Sequence, residues 1–184
     1  MDKEIRAFYT QSTVRVYQAY NEHISNEAVK KGTFGSSFKL DRMTWIKPSF
    51  LWMMYRCGWG MKENQENILA IDIKREAFDY IVRNAIISTY SDDLGISYEE
   101  WKEQIKKSDI RCQWDPERDL FGNPLEYRSI QLGLRGEAVR KYVGEWIVNI
   151  TDITDYVKEL NEKKNMKEDI SLLLPEEKVY GRTD

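Results

Sequence analysis

"DRMTWIKPSFLWMMYRCGWG", residues 41–60, sets three tryptophans, two adjacent methionines, a phenylalanine and a tyrosine between arginines and a lysine. Its reading separates a membrane protein from a globular one. The continuous apolar run, Phe50 to Tyr55, is far shorter than the roughly 20 residues a span needs. Pro48 suits the first turn of a helix and Gly58 the position just past its end. The stretch therefore predicts a short helix over about Pro48–Cys57, apolar on nearly every face. Such a helix is buried in a globular core. Arg42, Lys47 and Arg56 at its ends are candidates for the wall of a cleft.

The rest of the chain agrees with a globular reading. At 184 residues it fits one domain, expected over 1–175, with a C-terminal tail at 176–184. The charged fraction of 32% is above the usual share, which predicts a well-solvated surface. A net charge of −3 gives no global basic field toward nucleic acid or anionic lipid, so no membrane partner is expected. The start "MDKEIRAFY" is charged and lacks the apolar core of a leader. With only Cys57 and Cys112 no disulfide framework arises, and a cytoplasmic setting is the simplest expectation. One histidine, His23, gives little basis for a metal site, and none is expected.

Working outward, "TVRVYQAY" (13–20) reads as a strand from its β-branched and aromatic residues. "ISNEAVKK" reads as a helix capped by Ser25 or Asn26 and stopped at Gly32. "NILAIDIK" (67–74), with Leu69, Ile71 and Ile73 alternating with Ile68, Ala70 and Asp72, reads as a strand that is half or fully buried. Phe78, Ile81, Val82 and Ala85 share a helical face over about 75–87. Ser97 and Glu100 form a capping-box pattern that opens a helix over about 98–107. "IRCQW", "EYRSIQLG" and "EWIVNIT" read as strands, and "GEAVRKYV" as a short helix. "DITDYVKELNEKKN" puts Ile153, Tyr156, Val157 and Leu160 on one helical face. Strands mixed irregularly with short helices predict an α+β fold.

Polar residues set among apolar ones mark candidate chemistry. The first strand carries Arg15 and Gln18. The segment "QWDPERDLFGNPLEYRS" brings Trp114, Asp115, Glu117, Arg118 and Tyr127 up to Arg128, Ser129 and Gln131. Arginines with interleaved aromatics suit a ligand that joins an anionic group to a flat ring. A nucleotide is such a ligand. The same arginines also suit a structural network with Asp115, Glu117 and Glu126.

Together, "IRAFY", "TVRVYQAY", "DRMTWIKPSFLWMMYR", "QWDPER", "YRSIQLGL" and "EWIVNITDIT" resemble the domain of unknown function 4291 family, over about Ile5 to Pro175. A second resemblance is to the ADP-ribosyltransferase fold. It rests on "VYQAY" as the first strand, "ISNEAVKK" and "GTF" as helix and turn, and "YRSIQ" and "EWIVNI" as later elements. That resemblance implies two small packed β-sheets with short helices around an NAD-type cleft. It also implies NAD as substrate and transfer of ADP-ribose to a nucleic-acid or protein acceptor. Gln18 stands where one major subclass has histidine, and the serine-threonine-serine and Glu-x-Glu patterns are missing. By this resemblance Glu145 is the candidate catalytic carboxylate, with Glu117 or Glu137 next. Gln18 and Tyr17 would lie at the nicotinamide ribose and amide. Arg15 or Arg6 would hold phosphates. Trp52, Tyr55 and Arg56, with Arg128 and Ser129, would complete the NAD site. The alternative is a nucleotide- or RNA-binding module on the same scaffold without catalysis.

Overall fold

The computed structural model describes residues 2–181. It is an α+β fold of three small sheets and six α-helices among the described residues. The first sheet joins β2 (Thr13–Tyr20), β4 (Asn67–Lys74) and β8 (Ile147–Asp152) in the order β2-β4-β8. The second joins β3 (Thr44–Ile46), β7 (Pro124–Leu134), β6 (Ile110–Arg118) and β5 (Ile86–Ile87) in that order. A short ribbon pairs β1 (Arg6–Ala7) with β9 (Lys178–Val179). The segment expected as a tail from 176 thus includes a paired strand.

Helix α2 (Phe50–Cys57) realises the opening stretch. Ser49 caps it by accepting from the Trp52 amide, and Gly58 ends it in the left-handed region at φ 60°. Phe50, Trp52, Met53, Met54 and Cys57 are buried. Each fully buried apolar side chain of this size contributes about 1.5–3 kcal/mol. Together with Ile68, Ala70, Val157, Leu160 and Ile170 the helix forms a second core beside the main one. No helix among the described residues is long and apolar enough to cross a membrane.

Helix α1 (Glu22–Lys31) starts earlier than the sequence suggests. Asn21 is the cap, and Ser25 is buried with its hydroxyl donating back to the Asn21 carbonyl. Helix α3 (Arg75–Asn84) ends before Ile86 and Ile87, which pair with β6 instead of extending the helix. Helix α4 (Tyr98–Lys107) carries the expected capping box. Helices α5 (Gly136–Lys141) and α6 (Thr154–Asn165) complete the set. Glu145 and Trp146 do not begin a strand. They belong to a π-helical turn, Tyr142–Trp146, closed by the Ile147 amide on the Tyr142 carbonyl, and β8 starts after it.

The four-stranded sheet has two unlike faces. Register places Ile46, Ile130, Leu132, Leu134, Ile110 and Cys112 on one side, all in the main core. The opposite side carries Trp45, Gly133, Arg111, Gln113, Gln131, Asp115 and Ser129. Gly133 leaves room there for the Met43 and Trp45 side chains, since a Cβ would lie 2.7 Å from Met43 Sδ and 3.0 Å from the Trp45 ring. Alternation along each strand produces this division. Helix α2, not open solvent, stands over part of the polar side.

Candidate functional site

The two larger sheets meet at one backbone bridge. The Tyr17 amide donates to the Lys47 carbonyl at 2.7 Å, and beyond it β2 and β3 diverge. Side chains span the gap where backbone pairing stops. Gln18 Nε2 donates to Thr44 Oγ1 (2.7 Å) and to the Tyr20 hydroxyl (2.8 Å), and Gln18 Oε1 accepts from the Tyr142 hydroxyl (2.8 Å). A cleft of about 760 Å³ opens over this junction. That volume lies in the range of small-molecule and cofactor sites.

The cleft has a mixed wall. Tyr20, Phe38 and Trp45 supply rings, and Gln18, Asn21, Asn64, Gln65, Gln113 and Gln131 supply amides. Lys39, Arg42, Lys47 and Arg56 supply positive charge against one acidic lining residue, Glu63. Among the described residues none of these four cations is paired with a carboxylate. Elsewhere Arg6 and Arg15 are held by carboxylates, and Arg75, Arg111, Arg118, Arg128 and Arg135 donate to groups within the fold. Next to the lining, Asp115 accepts from Gln113 Nε2 (2.8 Å) and from Gln131 Nε2 (2.7 Å). Both of those glutamines face the cleft, so the carboxylate is held in one orientation.

Lys47 is the deepest cation, at 6% exposure. Its ammonium has one weak donor contact, to the Trp45 carbonyl at 3.5 Å. Burial, with Arg56 adding repulsion, lowers its pKa to about 8. Burial also raises the Tyr20 phenol to about 12.

Of the residues the sequence singled out, Gln18, Arg42, Lys47, Arg56 and Gln131 line this cleft and the others do not. Gln18 is 3% exposed and already satisfied by protein partners, so it braces the junction. Arg15 makes a two-pronged pair with Asp72 (2.8 and 3.0 Å) and lies 4.8 Å from the Phe8 ring. Arg6 pairs with Glu4 at 3.0 Å and lies over Tyr127. Arg128 Nη1 donates to the Trp114 carbonyl. Tyr55 is exposed, stacked on Trp52 and covered by Arg118 at 4.1 Å. Tyr17 is 1% exposed and packs against Phe50. Glu145 is exposed on the π-helical turn, outside the cleft lining. Glu137 caps a smaller pocket near Asp109 and Trp146.

Ser129 and Glu117 belong to a buried acidic cluster at the far end of the polar sheet face. Glu117 is 4% exposed, and burial raises its pKa against the hydrogen bonds from Arg118, Ser49 and Ser129. Glu177 accepts from the Phe50 amide at 2.7 Å, at the start of α2. Burial, with Glu117 adding repulsion, pushes it up to about 8. Gln113, Lys39 and the segment Glu63–Gln65 were not marked by the sequence. Only Gln113 carries a signal, as a polar residue at alternate spacing with Asp115 and Glu117.

The chain belongs to the family described as Domain of unknown function (DUF4291), whose model matches residues 4–180. No curated protein matches it at a significant level.

Proposed function

We propose that this member of the family binds an anionic nucleotide of the NAD class in the cleft between its two larger sheets. The observation that carries the reading is the set of cations, Lys39, Arg42, Lys47 and Arg56, that surround the cleft without carboxylate partners among the described residues. Unpaired cations favour a ligand that brings phosphate, and guanidinium groups grip it with paired hydrogen bonds. Trp45 and Tyr20 offer faces for a base or nicotinamide ring. The amides of Gln113, Gln131, Asn64 and Gln65 suit ribose hydroxyls and ring edges. The volume suits a dinucleotide with part of it reaching solvent.

A second reading adds chemistry: transfer of ADP-ribose from NAD to a nucleic-acid or protein acceptor. What favours it is Asp115, fixed by two glutamines that face the cleft. Cleavage of the nicotinamide–ribose bond builds positive charge on the sugar, and a preorganised carboxylate stabilises that state. Asp115, bonded to the lining residues Gln113 and Gln131, takes that role here in place of Glu145, which is exposed on the π-helical turn.

Calorimetric titration with NAD, ADP and inorganic pyrophosphate tests the first reading. Binding of NAD that weakens by about tenfold or more in the Arg42→Ala, Arg56→Ala double variant is expected, since charged hydrogen bonds contribute about 1.5–3 kcal/mol each. No heat with any of the three ligands overturns it. Nicotinamide release in the presence of total RNA or lysate tests the second. Wild-type release that is lost in Asp115→Asn is expected, and release unchanged in that variant overturns the role of Asp115.

A further inference from the structure

Lys47 differs from the other cleft cations. Lys39, Arg42 and Arg56 are exposed, whereas Lys47 is buried to 6% and still lines the cavity. Its backbone is fixed at the bridge between the sheets, since its carbonyl accepts from the Tyr17 amide at 2.7 Å. Pro48 follows, and the cap of α2 follows that. The side chain is therefore anchored on a rigid junction and directed to the cleft. No carboxylate holds it in an ion pair among the described residues, and its single contact is the 3.5 Å approach to the Trp45 carbonyl. A lysine kept only to neutralise phosphate gains nothing from burial, because a buried ammonium loses hydration. Burial does favour a free amine, which is the nucleophilic form.

We propose that Lys47 is a nucleophilic amine that condenses with the carbonyl of a phosphorylated aldehyde seated in the cleft. The inference rests on the reading that the cleft takes a phosphate-bearing ligand. Arg42 and Arg56 hold the phosphate, and the aldehyde carbon meets Nζ. The amine lone pair forms the N–C bond, and the carbonyl oxygen takes a proton to give a carbinolamine. Loss of that hydroxyl as water, with release of the second nitrogen proton to solvent, leaves the imine. The balance is amine plus aldehyde to imine plus water, with no oxidant or reductant.

The charged and titratable groups that act on Lys47 are Arg56 and Cys57 on α2 and Asp115 on β6. Burial and Arg56 favour the free amine, and Asp115 opposes them. Its pKa near 8 supports the proposal. At about pH 8 roughly half of such an amine is free, against well under one per cent of an ordinary lysine.

Pyridoxal 5′-phosphate is the probe, with borohydride added to reduce and trap the imine and peptide mapping to locate it. Lys47 is expected to label at least about tenfold faster than exposed lysines such as Lys102 and Lys107, reflecting its larger free-amine fraction. The rate at Lys47 should rise through about pH 8. Pyrophosphate should slow it, and unphosphorylated pyridoxal should label it more slowly. Lys47→Arg keeps the charge and should remove the label while circular dichroism stays unchanged. Labelling of Lys47 no faster than of exposed lysines overturns the proposal, and equal rates with pyridoxal overturn the phosphate anchoring. NAD binding without Lys47 labelling leaves the nucleotide reading standing and removes this one. Labelling that pyrophosphate slows, in a protein that gives no heat with NAD, removes the NAD reading and keeps the amine.

Discussion

The two faces of the four-stranded sheet are built from the same strands and do opposite work. On one face Ile46, Ile130, Leu132 and Leu134 are at most 2% exposed and close the main core. On the other, Gln113, Asp115, Gln131 and Ser129 run between the cleft and a buried carboxylate cluster, under helix α2. An apolar face is explained by folding alone, since burial of that area is the main driving force. A sheltered polar face is not. Each of its groups needs a partner, and several of the partners they find are one another. The contrast marks a polar face that burial alone does not explain, and that face ends at the cleft.

The comparison breaks most visibly in the core. Leu132→Ala should destabilise the protein by about 2–5 kcal/mol, the range for emptied core sites. Urea unfolding measures this, and Gln131→Leu one residue away should change stability far less. Equal costs at the two positions would show that the polar face is structural in the same sense as the apolar one.

Gln18 sharpens the boundary between bracing and binding. Gln18→Leu leaves the buried Tyr142 hydroxyl without its acceptor and Thr44 without its donor. A cost of roughly 1–3 kcal/mol is expected. A variant of unchanged stability would return Gln18 to the list of ligand-binding groups.

The acidic end of the polar face gives a pH signature. Glu177 has a folded pKa of about 8, above the ordinary carboxyl range. The folded state therefore keeps a proton that the unfolded state releases near pH 4.3. Stability from this group is fully present below about pH 4 and is lost as pH rises toward about 8. Glu177→Gln can still accept from the Phe50 amide and has no charge to bury. It should be more stable than wild type by roughly 1–2 kcal/mol above about pH 8, with the gain vanishing near pH 4. A gain that is independent of pH would exclude ionisation as the cause.

The smallest stability effect is expected at the cleft rim. Arg42→Ala and Arg56→Ala should each stay within about 0.5 kcal/mol of wild type, as exposed sites without partners do. A large loss in either would mean that the cation serves the fold.

How much of this could be read from the sequence depended on range. The capping box of Ser97 and Glu100 and the alternation of β4 are local, and both elements appear where the sequence puts them. The apolar run with Pro48 and Gly58 gave α2 and the cations at its ends, because helix termini are set by neighbours in sequence. Strand β3 has no sequence signal because three residues show no period, and its partners on β7 lie almost ninety residues on. "EWIV" has strand composition, yet the backbone closes a π-helical turn before Ile147. The role of Gln18 depends on Thr44 and Tyr142, 26 and 124 residues away, and nothing local encodes it. Arg15 reads as an available cation in sequence, yet Asp72 on the paired strand holds two of its three guanidinium nitrogens. Local chemistry thus located three of the cleft's four cations, and long-range pairing decided which polar residues were free to use.

The most direct test is to map the ligand onto the protein. Amide shifts of isotope-labelled protein, followed during titration with NAD, report every affected residue at once. Saturable shifts are expected to cluster at Asn21, Ser37–Thr44, Glu63–Gln65, Gln113 and Gln131, with Glu145 and the apolar-face residues Ile130 and Leu132 unmoved. Saturable shifts centred on Glu145 or on the small pocket at Asp109, or none at millimolar NAD, would contradict binding in the cleft.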